Sequence, residues 1–468
     1  MRVLLALFAF TFALSTTGHT PAQDPSASPA PRNARPGKGA GPDIPTVVPP
    51  ALTGPVTFTC GAARKGATAL IPASLVSDSA AGWDLHSIAT IGKGVCTSAA
   101  PFYLSIPVPE GNYRVTVVLG GEEASVTTVR AEARRLMLEK IPVAASKTLT
   151  REFDVNLRIP EFIKADGSTG RVRLKAREIG NLDWDPKLTL EFNGDHPSFH
   201  SLTIEPLVGA KAEPVIYLAG DSTMVDQDVE PWASWGQQLP RFFVPGVVVA
   251  NHAESGESSN SFVGEQRFAK IMSVIKPGDY FFVQFAHNDQ KNGPDFPEKY
   301  RAIMTDFVTQ VRAKGATPII VTAMNREQFD GDGKIVDGLE PYPKISREVA
   351  AATSTALIDL NAMSKTMFEA MGKDGADHAF MKFKAGSYPG VERDISDTTH
   401  FNNYGAYELA RCIVQGIRDD KLPITKFIDP AIPSFDPAKF DAFDTFSLPY
   451  TPMQKREDIA QIPQANLK

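Results

Sequence analysis

The stretch that decides the fold is "VIYLAGDSTMVDQ", Val215 to Gln227. Its first residues are apolar or small without a break, which is typical of a strand buried on both faces of a parallel sheet. The run ends at Gly220 in a short polar turn that carries one serine, Ser222. Such a serine is either a helix N-cap or a nucleophile presented at the end of a strand. The rest of the sequence has to decide between these roles.

The residues that follow repeat this pattern. From 213 to 422, strand-like apolar runs alternate with helical patterns, and the predicted strands are "VIYLAG", "VVVANHA", "DYFFVQFA", "TPIIVTAM" and "TALIDLN". Strands separated by helices predict βαβ units and a mostly parallel sheet, hence an α/β fold. In open sheets of this kind, ligands bind beyond the carboxyl ends of the strands. Chemistry is therefore expected in the turns that follow the strands.

The preceding residues, 51–208, have a different pattern. Short alternating runs such as "YRVTVVLGG" and "KLTLEFNG" are separated by Gly, Pro and Asn, which predicts an antiparallel β-sandwich or jelly roll. Only "VRAEARRLMLEK" leaves helix and strand both open. Cys60 and Cys96 lie in this region and could pair in an oxidising compartment. Cys412 falls in a helical pattern, where a buried free thiol is expected.

The two ends of the chain carry signals of another kind. Arg2 precedes an apolar stretch that ends near Leu14, so residues 1–22 are predicted to be a secretory signal peptide. Residues 23–50 form a Pro/Ala/Gly-rich linker, and residues 423–468 a C-terminal tail over the surface. No later apolar run could cross a bilayer. We therefore expect a secreted or periplasmic protein without a membrane span after signal cleavage.

Composition excludes several classes of function. The 468 residues carry a net charge of −6, which disfavours a nucleic-acid partner. There is no CxxC motif for a zinc ribbon or a redox site, and no Gly-rich phosphate loop follows a predicted strand. Neither a metal nor an organic cofactor is expected.

Polar residues follow the predicted strands in three places, and a fourth polar block precedes the last predicted helix. Ser222 follows the first strand, Gly256 lies in "NHAESGESSNSF", Asn288 lies in "HNDQK", and "DTTH" places Asp397 three residues before His400. A serine needs a base to remove its proton, and a carboxylate to orient that base, so Ser222, His400 and Asp397 form a candidate triad. The backbone N–H groups of Ser222 and Gly256 and the amide of Asn288 are candidate oxyanion donors.

Three further residues near these strand ends are predicted to line the substrate cleft. His252 and His287 compete with His400 for the role of base, but neither has an acid so well placed in sequence. Trp232 offers a face for stacking on a sugar, whereas Trp235 is expected in the core. The pentapeptide Gly-x-Ser-x-Gly is absent, which disfavours the α/β-hydrolase nucleophile elbow.

In these blocks the sequence resembles the GDSL/SGNH hydrolases, whose four motifs stand here as "GDST", "ESGESSNSF", "AHND" and "DTTH". Within that superfamily it is similar to the rhamnogalacturonan acetylesterases over most of 215–419. The resemblance implies a flavodoxin-like three-layer α/β/α sheet and the same triad and oxyanion residues, and residues 51–208 resemble a galactose-binding-like domain. Thr223 stands where the family name has leucine, and Ala286 where glycine is usual.

The resemblance implies a serine esterase that removes O-acetyl groups from plant cell-wall polysaccharide, with rhamnogalacturonan as the expected substrate. Asp, Asn, Ser and Gln crowd the strand-end loops, which favours a polar substrate over the apolar mouth of a lipase. Three alternatives stay open: an acetylxylan esterase, a GDSL lipase or small-ester esterase, and a non-catalytic carbohydrate-binding protein.

Overall fold

The computed structural model describes Gly41 and residues 46–452. The predicted signal peptide, most of the predicted linker and the end of the predicted tail lie outside these residues. Across the described part of the chain, no helix combines the length and the apolar character needed to traverse a bilayer.

Strands make up most of the first region, residues 51–208. They are β1 (Val56–Cys60), β2 (Ala67–Leu70), β3 (Gly82–Asp84), β4 (Thr90–Gly92), β5 (Val95–Thr97), β6 (Phe102–Pro107), β7 (Gly111–Gly121), β8 (Ser125–Ala131), β9 (Arg135–Val143), β10 (Lys147–Leu157), β11 (Glu161–Ile163), β12 (Thr169–Arg171), β13 (Lys187–Asp195) and β14 (Ser198–Pro206). One sheet has the order β10-β7-β14-β1-β2, with β5 beside β14 and β4 beside β5. The other has the order β3-β6-β13-β8-β9, an arrangement consistent with the predicted β-sandwich.

Period-2 alternation builds the core of this region. On β7, Tyr113, Val115, Val117 and Leu119 are buried and share one apolar cluster. Alternate side chains on a strand point to opposite faces, so one face of β7 enters the core. The stretch that the sequence left open is the β8–β9 hairpin. Cys60 on β1 and Cys96 on β5 form a disulfide.

The second region, residues 213–422, has a parallel sheet. Its strands are β15 (Val215–Gly220), β16 (Val248–Asn251), β17 (Tyr280–Gln284), β18 (Thr317–Val321) and β19 (Ala356–Ile358), followed by the antiparallel hairpin β20 (Phe380–Phe383) and β21 (Ile395–Phe401). The helices are α1 (Trp235–Gln238), α2 (Ser259–Gly264), α3 (Arg267–Val274), α4 (Phe296–Ala313), α5 (Tyr342–Ala352), α6 (Leu360–Asp377) and α7 (Asn403–Asp419). The order β16-β15-β17-β18-β19 is flavodoxin-like, which confirms the predicted fold class.

The parallel sheet is covered on both faces, as its unbroken apolar runs predicted. Ile216 and Leu218 of β15 belong to the core that includes α7, where the free thiol of Cys412 is buried. Val215, Tyr217 and Ala219 belong to the core on the opposite face, which includes α3 and α4. Because strand order reverses at β15, the crevice between the carboxyl ends of β15 and β17 is the expected place for a ligand.

The two regions are joined by buried polar contacts. Arg134, in the β8–β9 turn, donates to the carbonyl oxygens of Gln227 and Trp232, each at 2.9 Å. The side-chain amide of Gln237 donates to the carbonyl of Ala133 at 2.8 Å. The first region therefore packs directly against the segment that follows Ser222.

The described end of the chain returns to the first region. Arg130 donates to the carbonyl of Pro449, and the amide of Asn193 donates to that of Tyr450, each at 2.8 Å. The hydroxyl of Thr451 lies 2.8 Å from a carboxylate oxygen of Glu191. These contacts fix residues 449–451 on the second sheet of the first region.

Candidate active site

The turn that carries Ser222 is held by its own neighbours. The carboxylate of Asp221 accepts hydrogen bonds from the N–H and the hydroxyl of Thr223 at 2.9 and 2.8 Å. Gln227 and Ser234 donate to the carbonyl oxygen of Ser222 at 2.7 and 2.8 Å. The side chain of Ser222 caps none of the described helices, so the N-cap alternative is set aside.

The acid and the base lie on a strand rather than on the turn expected from the sequence. Asp397 is opposite Met381 and Phe401 is opposite Phe380, so residues 398–400 bulge out of the β20–β21 ladder. In this bulge, Asp397 Oδ1 accepts hydrogen bonds from the N–H groups of Thr399 and His400 at 2.7 and 3.0 Å. A bulge redirects side chains, and here it brings the acid and the base together.

The structure brings the three predicted triad residues into one hydrogen-bonded chain. Ser222 Oγ lies 2.8 Å from His400 Nε2, and His400 Nδ1 lies 2.7 Å from Asp397 Oδ2. A carboxylate only accepts, so Nδ1 carries the proton and Nε2 accepts the hydrogen bond from Ser222. The Ser222 residue is 6% exposed, whereas about a third of the Asp397 side chain reaches solvent.

The charge of Asp397 is fixed by its surroundings. Burial raises the pKa of this carboxyl, but the hydrogen bond and charge of His400, with the two backbone N–H donors, outweigh burial and lower the pKa to about 2. Asp397 is therefore ionised at neutral pH and able to stabilise a positive charge on the imidazole.

The predicted oxyanion donors Gly256 and Asn288 lie beyond the carboxyl ends of β16 and β17. Gly256 has φ of +78°, a conformation that favours glycine, and the N–H of Glu254 ties this loop to the carbonyl of Gly220 at 3.1 Å. Among the described residues, neither the N–H of Ser222 nor that of Gly256 has an acceptor. Both are therefore available to a ligand.

Asn288 is oriented by the same loop. Its Nδ2 donates one hydrogen bond to the carbonyl oxygen of Glu257 at 2.9 Å, and its Oδ1 accepts from Lys291 Nζ at 2.7 Å. A side-chain amide has two N–H bonds, so the second remains for a ligand. The next residue, Asp289, accepts hydrogen bonds from the N–H and hydroxyl of Ser259 at 2.9 and 2.6 Å, and burial raises the pKa of Asp289 to about 7.

Two of the predicted cleft residues are buried instead, and that prediction is corrected. His252 is 2% exposed, and its ring centroid lies 5.9 Å from those of Trp184 and Tyr217. Burial and nearby cations lower its pKa well below the usual value. Trp184 belongs to the first region, so one aromatic neighbour of His252 comes from a distant part of the sequence.

His287 is also 2% exposed, and its Nδ1 lies 3.5 Å from Asp221 Oδ2. It is buried next to the carboxylate of Asp221 and does not line the cleft. Trp232 is half-buried, so its role as a stacking surface stays a prediction.

Sequence reasoning missed three cations around this site. Lys175 and Arg177, from the first region, contact the loop that carries Gly256. Arg326 lies beyond the end of β18, and its Nη2 is 3.4 Å from the carbonyl oxygen of His287. No motif marks any of the three, so only their place in the fold reveals them.

Arg326 has an unusual environment for a guanidinium. Among the described residues, no carboxylate lies within 4 Å of it. Burial lowers the pKa of Arg326, while the charges of Asp221 and Asp397 act in the opposite direction. The site thus presents a cation without a direct ion-pair partner next to the acid and base.

The remaining titratable groups do not suggest a metal centre. Over residues 46–452, no group of three or more His, Cys, Asp or Glu side chains is arranged to hold a metal ion.

Comparison with known proteins places this geometry in a family. The GDSL-like lipase/acylhydrolase family matches residues 218–406. Rhamnogalacturonan acetylesterase RhgT of Bacillus subtilis is 39% identical over 212 residues, which cover 45% of this chain and 91% of RhgT. The probable rhamnogalacturonan acetylesterase YesY of the same organism is 34% identical over 46% of this chain and 96% of YesY.

Among solved structures, the chain matches the crystal structure of YxiM from Bacillus subtilis. The match covers 79% of this chain and 99% of YxiM, with 23% identity and a TM-score of 0.43.

Proposed function

The chain belongs to the GDSL-like lipase/acylhydrolase family and is a carboxylic ester hydrolase, and on this basis we propose that it removes O-acetyl groups from rhamnogalacturonan. The observation that carries the chemistry is the unbroken hydrogen-bonded chain from Ser222 through His400 to Asp397. It is the arrangement that activates a serine hydroxyl towards an ester carbonyl.

In the first half of the proposed reaction, Ser222 Oγ attacks the acetyl carbonyl while His400 Nε2 accepts the hydroxyl proton. Asp397 stabilises the imidazolium that results. The carbonyl oxygen becomes an oxyanion and is bound by the N–H groups of Ser222 and Gly256 and by the amide of Asn288. His400 then protonates the departing sugar oxygen, which leaves an acetyl group on Ser222.

In the second half, His400 removes a proton from a water molecule, and the resulting nucleophile attacks the acetyl carbonyl. The same three donors bind the second oxyanion. When this intermediate collapses, Ser222 Oγ regains its proton from His400 and acetate is released. The cycle uses only residues of this chain, each in its described position.

Two observations support rhamnogalacturonan over the alternative esters. RhgT bears the name of a rhamnogalacturonan acetylesterase, YesY that of a probable one, and each is covered over more than nine tenths of its length. Among the described residues no carboxylate lies within 4 Å of Arg326, and its guanidinium suits the galacturonate units of that polysaccharide. Neutral acetylxylan and lipid esters offer this guanidinium no carboxylate.

The proposed location is outside the cytoplasm, because Arg2 and the apolar stretch that follows it have the pattern of a signal peptide. Expression of the full sequence in a bacterial host, followed by N-terminal sequencing of the exported protein, tests this proposal. We expect cleavage near Ala22, whereas retention of an uncleaved chain in the cytoplasm would refute it.

Substrate choice is tested by acetate release from acetylated rhamnogalacturonan fragments, acetylated xylan and 4-nitrophenyl esters of increasing acyl length. We expect the highest kcat/KM on rhamnogalacturonan and a preference for acetyl over longer acyl groups. A preference for long chains indicates a lipase, and faster release from xylan indicates an acetylxylan esterase. No release from any ester would favour a carbohydrate-binding protein without activity.

A further inference from the structure

The peptide bond between Ser255 and Gly256 is held by two cations from the first region. The carbonyl oxygen of Ser255 accepts a hydrogen bond from Lys175 Nζ at 2.9 Å and another from Arg177 Nη2. These donors come from 80 and 78 positions earlier in the chain. No other backbone carbonyl near Ser222 is described with two charged donors.

Both cations are themselves fixed and shielded from water. Lys175 is 5% exposed and also bonds the carboxylate of Glu257, while Arg177 Nε donates to Glu254 at 2.8 Å and is 7% exposed. Hydrogen bonds from charged donors are about twice as strong as neutral ones, and low exposure strengthens them further. The loop is therefore held at both of its acidic side chains and at the carbonyl between them.

The geometry of the peptide bond connects this contact with the reaction. In a trans peptide, the C=O and the N–H point in opposite directions. Because the carbonyl of Ser255 faces Lys175 and Arg177, the N–H of Gly256 faces away from them, and it has no acceptor among the described residues. Charged donors on the carbonyl also polarise the peptide, which strengthens its N–H as a donor.

The same loop holds a second oxyanion donor. The carbonyl oxygen of Glu257 accepts the hydrogen bond that orients Asn288, and the side chain of Glu257 bonds Lys175. A displacement of residues 254–257 would therefore misplace both Gly256 and Asn288.

We propose that Lys175 and Arg177 are positioning residues of the oxyanion hole, which fix and polarise the Ser255–Gly256 peptide so that its N–H meets the developing negative charge. The inference rests on the proposed function, since an oxyanion forms only if Ser222 attacks an ester. It also assigns the first region a part in catalysis, which is to supply the clamp on this loop.

The test measures kcat and KM on 4-nitrophenyl acetate for Lys175→Met and Arg177→Met. Since a single oxyanion donor contributes about 10²–10³-fold to kcat, we expect each variant to lose roughly 10-fold or more in kcat with KM within about 2-fold of the wild type. Arg177→Lys should recover part of the loss, because it restores a charged donor to the carbonyl.

Lys270→Met is the matched control. Lys270 is an equally buried ammonium between the regions, but it bonds Glu110 at 2.7 Å and does not touch residues 254–257. We expect it to lower the melting temperature while keeping kcat per folded molecule. Should the single variants fold poorly, Lys175→Met/Glu257→Gln and Arg177→Met/Glu254→Gln remove each ion pair without leaving a buried carboxylate unpaired.

Two results would contradict the proposal that Lys175 and Arg177 position the oxyanion hole. One is a kcat within 2-fold of the wild type in the Lys175 and Arg177 variants, and the other is a loss that Lys270→Met reproduces at equal folded fraction. Failure of the serine-esterase chemistry is visible separately, because the wild-type protein would then not hydrolyse 4-nitrophenyl acetate at all, and the proposal for Lys175 and Arg177 would fail with it. A different natural substrate would leave this test unaffected.

Discussion

The two sides of the candidate site are held in different ways. On the side of the base, Asp397 bonds His400 and the N–H of Thr399, all within four positions of the chain. On the side of the oxyanion, the loop of Gly256 is held by side chains from about 80 positions earlier. The acid and the base are held within one β-hairpin, whereas the oxyanion loop depends on the packing of the two regions.

This difference separates two requirements of the reaction. The acid and base must share one geometry with each other, and a short bulged strand is enough to supply it. The oxyanion donors must instead bind an atom of the substrate, so a backbone N–H has to be oriented towards the place that the substrate will occupy. The first region orients it with two buried cations, Lys175 and Arg177. Variants of the acid and base and variants of the oxyanion donors should therefore lose activity to different extents.

The largest effect is expected on the base side. In Asp397→Asn, the amide can no longer stabilise an imidazolium and favours the wrong tautomer of His400, so kcat should fall by about 10⁴-fold. Steady-state hydrolysis of 4-nitrophenyl acetate measures the loss. The matched control is Asp394→Asn, an exposed carboxylate on the same hairpin that bonds Lys384 and the N–H of Ala385, and this variant should retain full activity. Equal activity of the two variants would remove Asp397 from the mechanism.

A smaller effect is expected on the oxyanion side. Asn288→Ala removes one donor to the oxyanion, so kcat should drop by roughly 10²–10³-fold with little change in KM. The exposed Asn292, four positions further on, serves as the control, and Asn292→Ala should behave like the wild type. If Asn288→Ala changed KM alone, its amide would be a ground-state contact rather than an oxyanion donor.

Substitution of Arg326 tests substrate recognition independently of the acid–base pair and of the oxyanion donors. A charge-assisted hydrogen bond contributes about 1.5–3 kcal/mol, so Arg326→Gln should raise KM for acetylated rhamnogalacturonan by roughly 10-fold or more. KM for 4-nitrophenyl acetate should stay unchanged, because that ester has no carboxylate. Equal effects on the two substrates would contradict a role in binding galacturonate.

The smallest effect concerns stability in acid. The pKa of Asp397 is lowered to about 2, so its stabilising contribution is present above the ordinary carboxyl value and is lost as the pH falls from about 4 to 2. After a discount for partial exposure, the contribution is about 1–2 kcal/mol. Urea unfolding should show that the difference in free energy of unfolding between the wild type and Asp397→Asn becomes smaller over that range. A difference in free energy of unfolding that stays constant with pH would contradict a stabilising contribution from ionised Asp397.

Most of the fold could be predicted from the sequence because each local pattern agreed with the patterns next to it. The unbroken apolar runs around Ile216 and the alternation around Val115 correspond to two kinds of sheet, and both kinds are present. The four polar blocks could be predicted for the same reason, since three of them follow strands of the parallel sheet and the fourth precedes α7. The bulge that carries His400 was not predicted, because a β-bulge depends on its pairing with β20.

The errors and omissions share one physical cause. His252 was predicted to line the cleft, but it is buried, with Trp184 of the first region among its neighbours. Lys175 and Arg177 carry no motif, because their partners are set by the way the two regions pack. Long-range packing leaves no local periodicity, so the supports of the oxyanion loop could be found only in three dimensions.

The measurement that tests the central claim most directly is covalent labelling with a fluorophosphonate, followed by peptide mass spectrometry. The account predicts one adduct per chain, on the peptide that contains Ser222, and none in Ser222→Ala. Absence of labelling in the wild-type protein, or equal labelling of the Ser222→Ala variant, would contradict the assignment of Ser222 as the nucleophile.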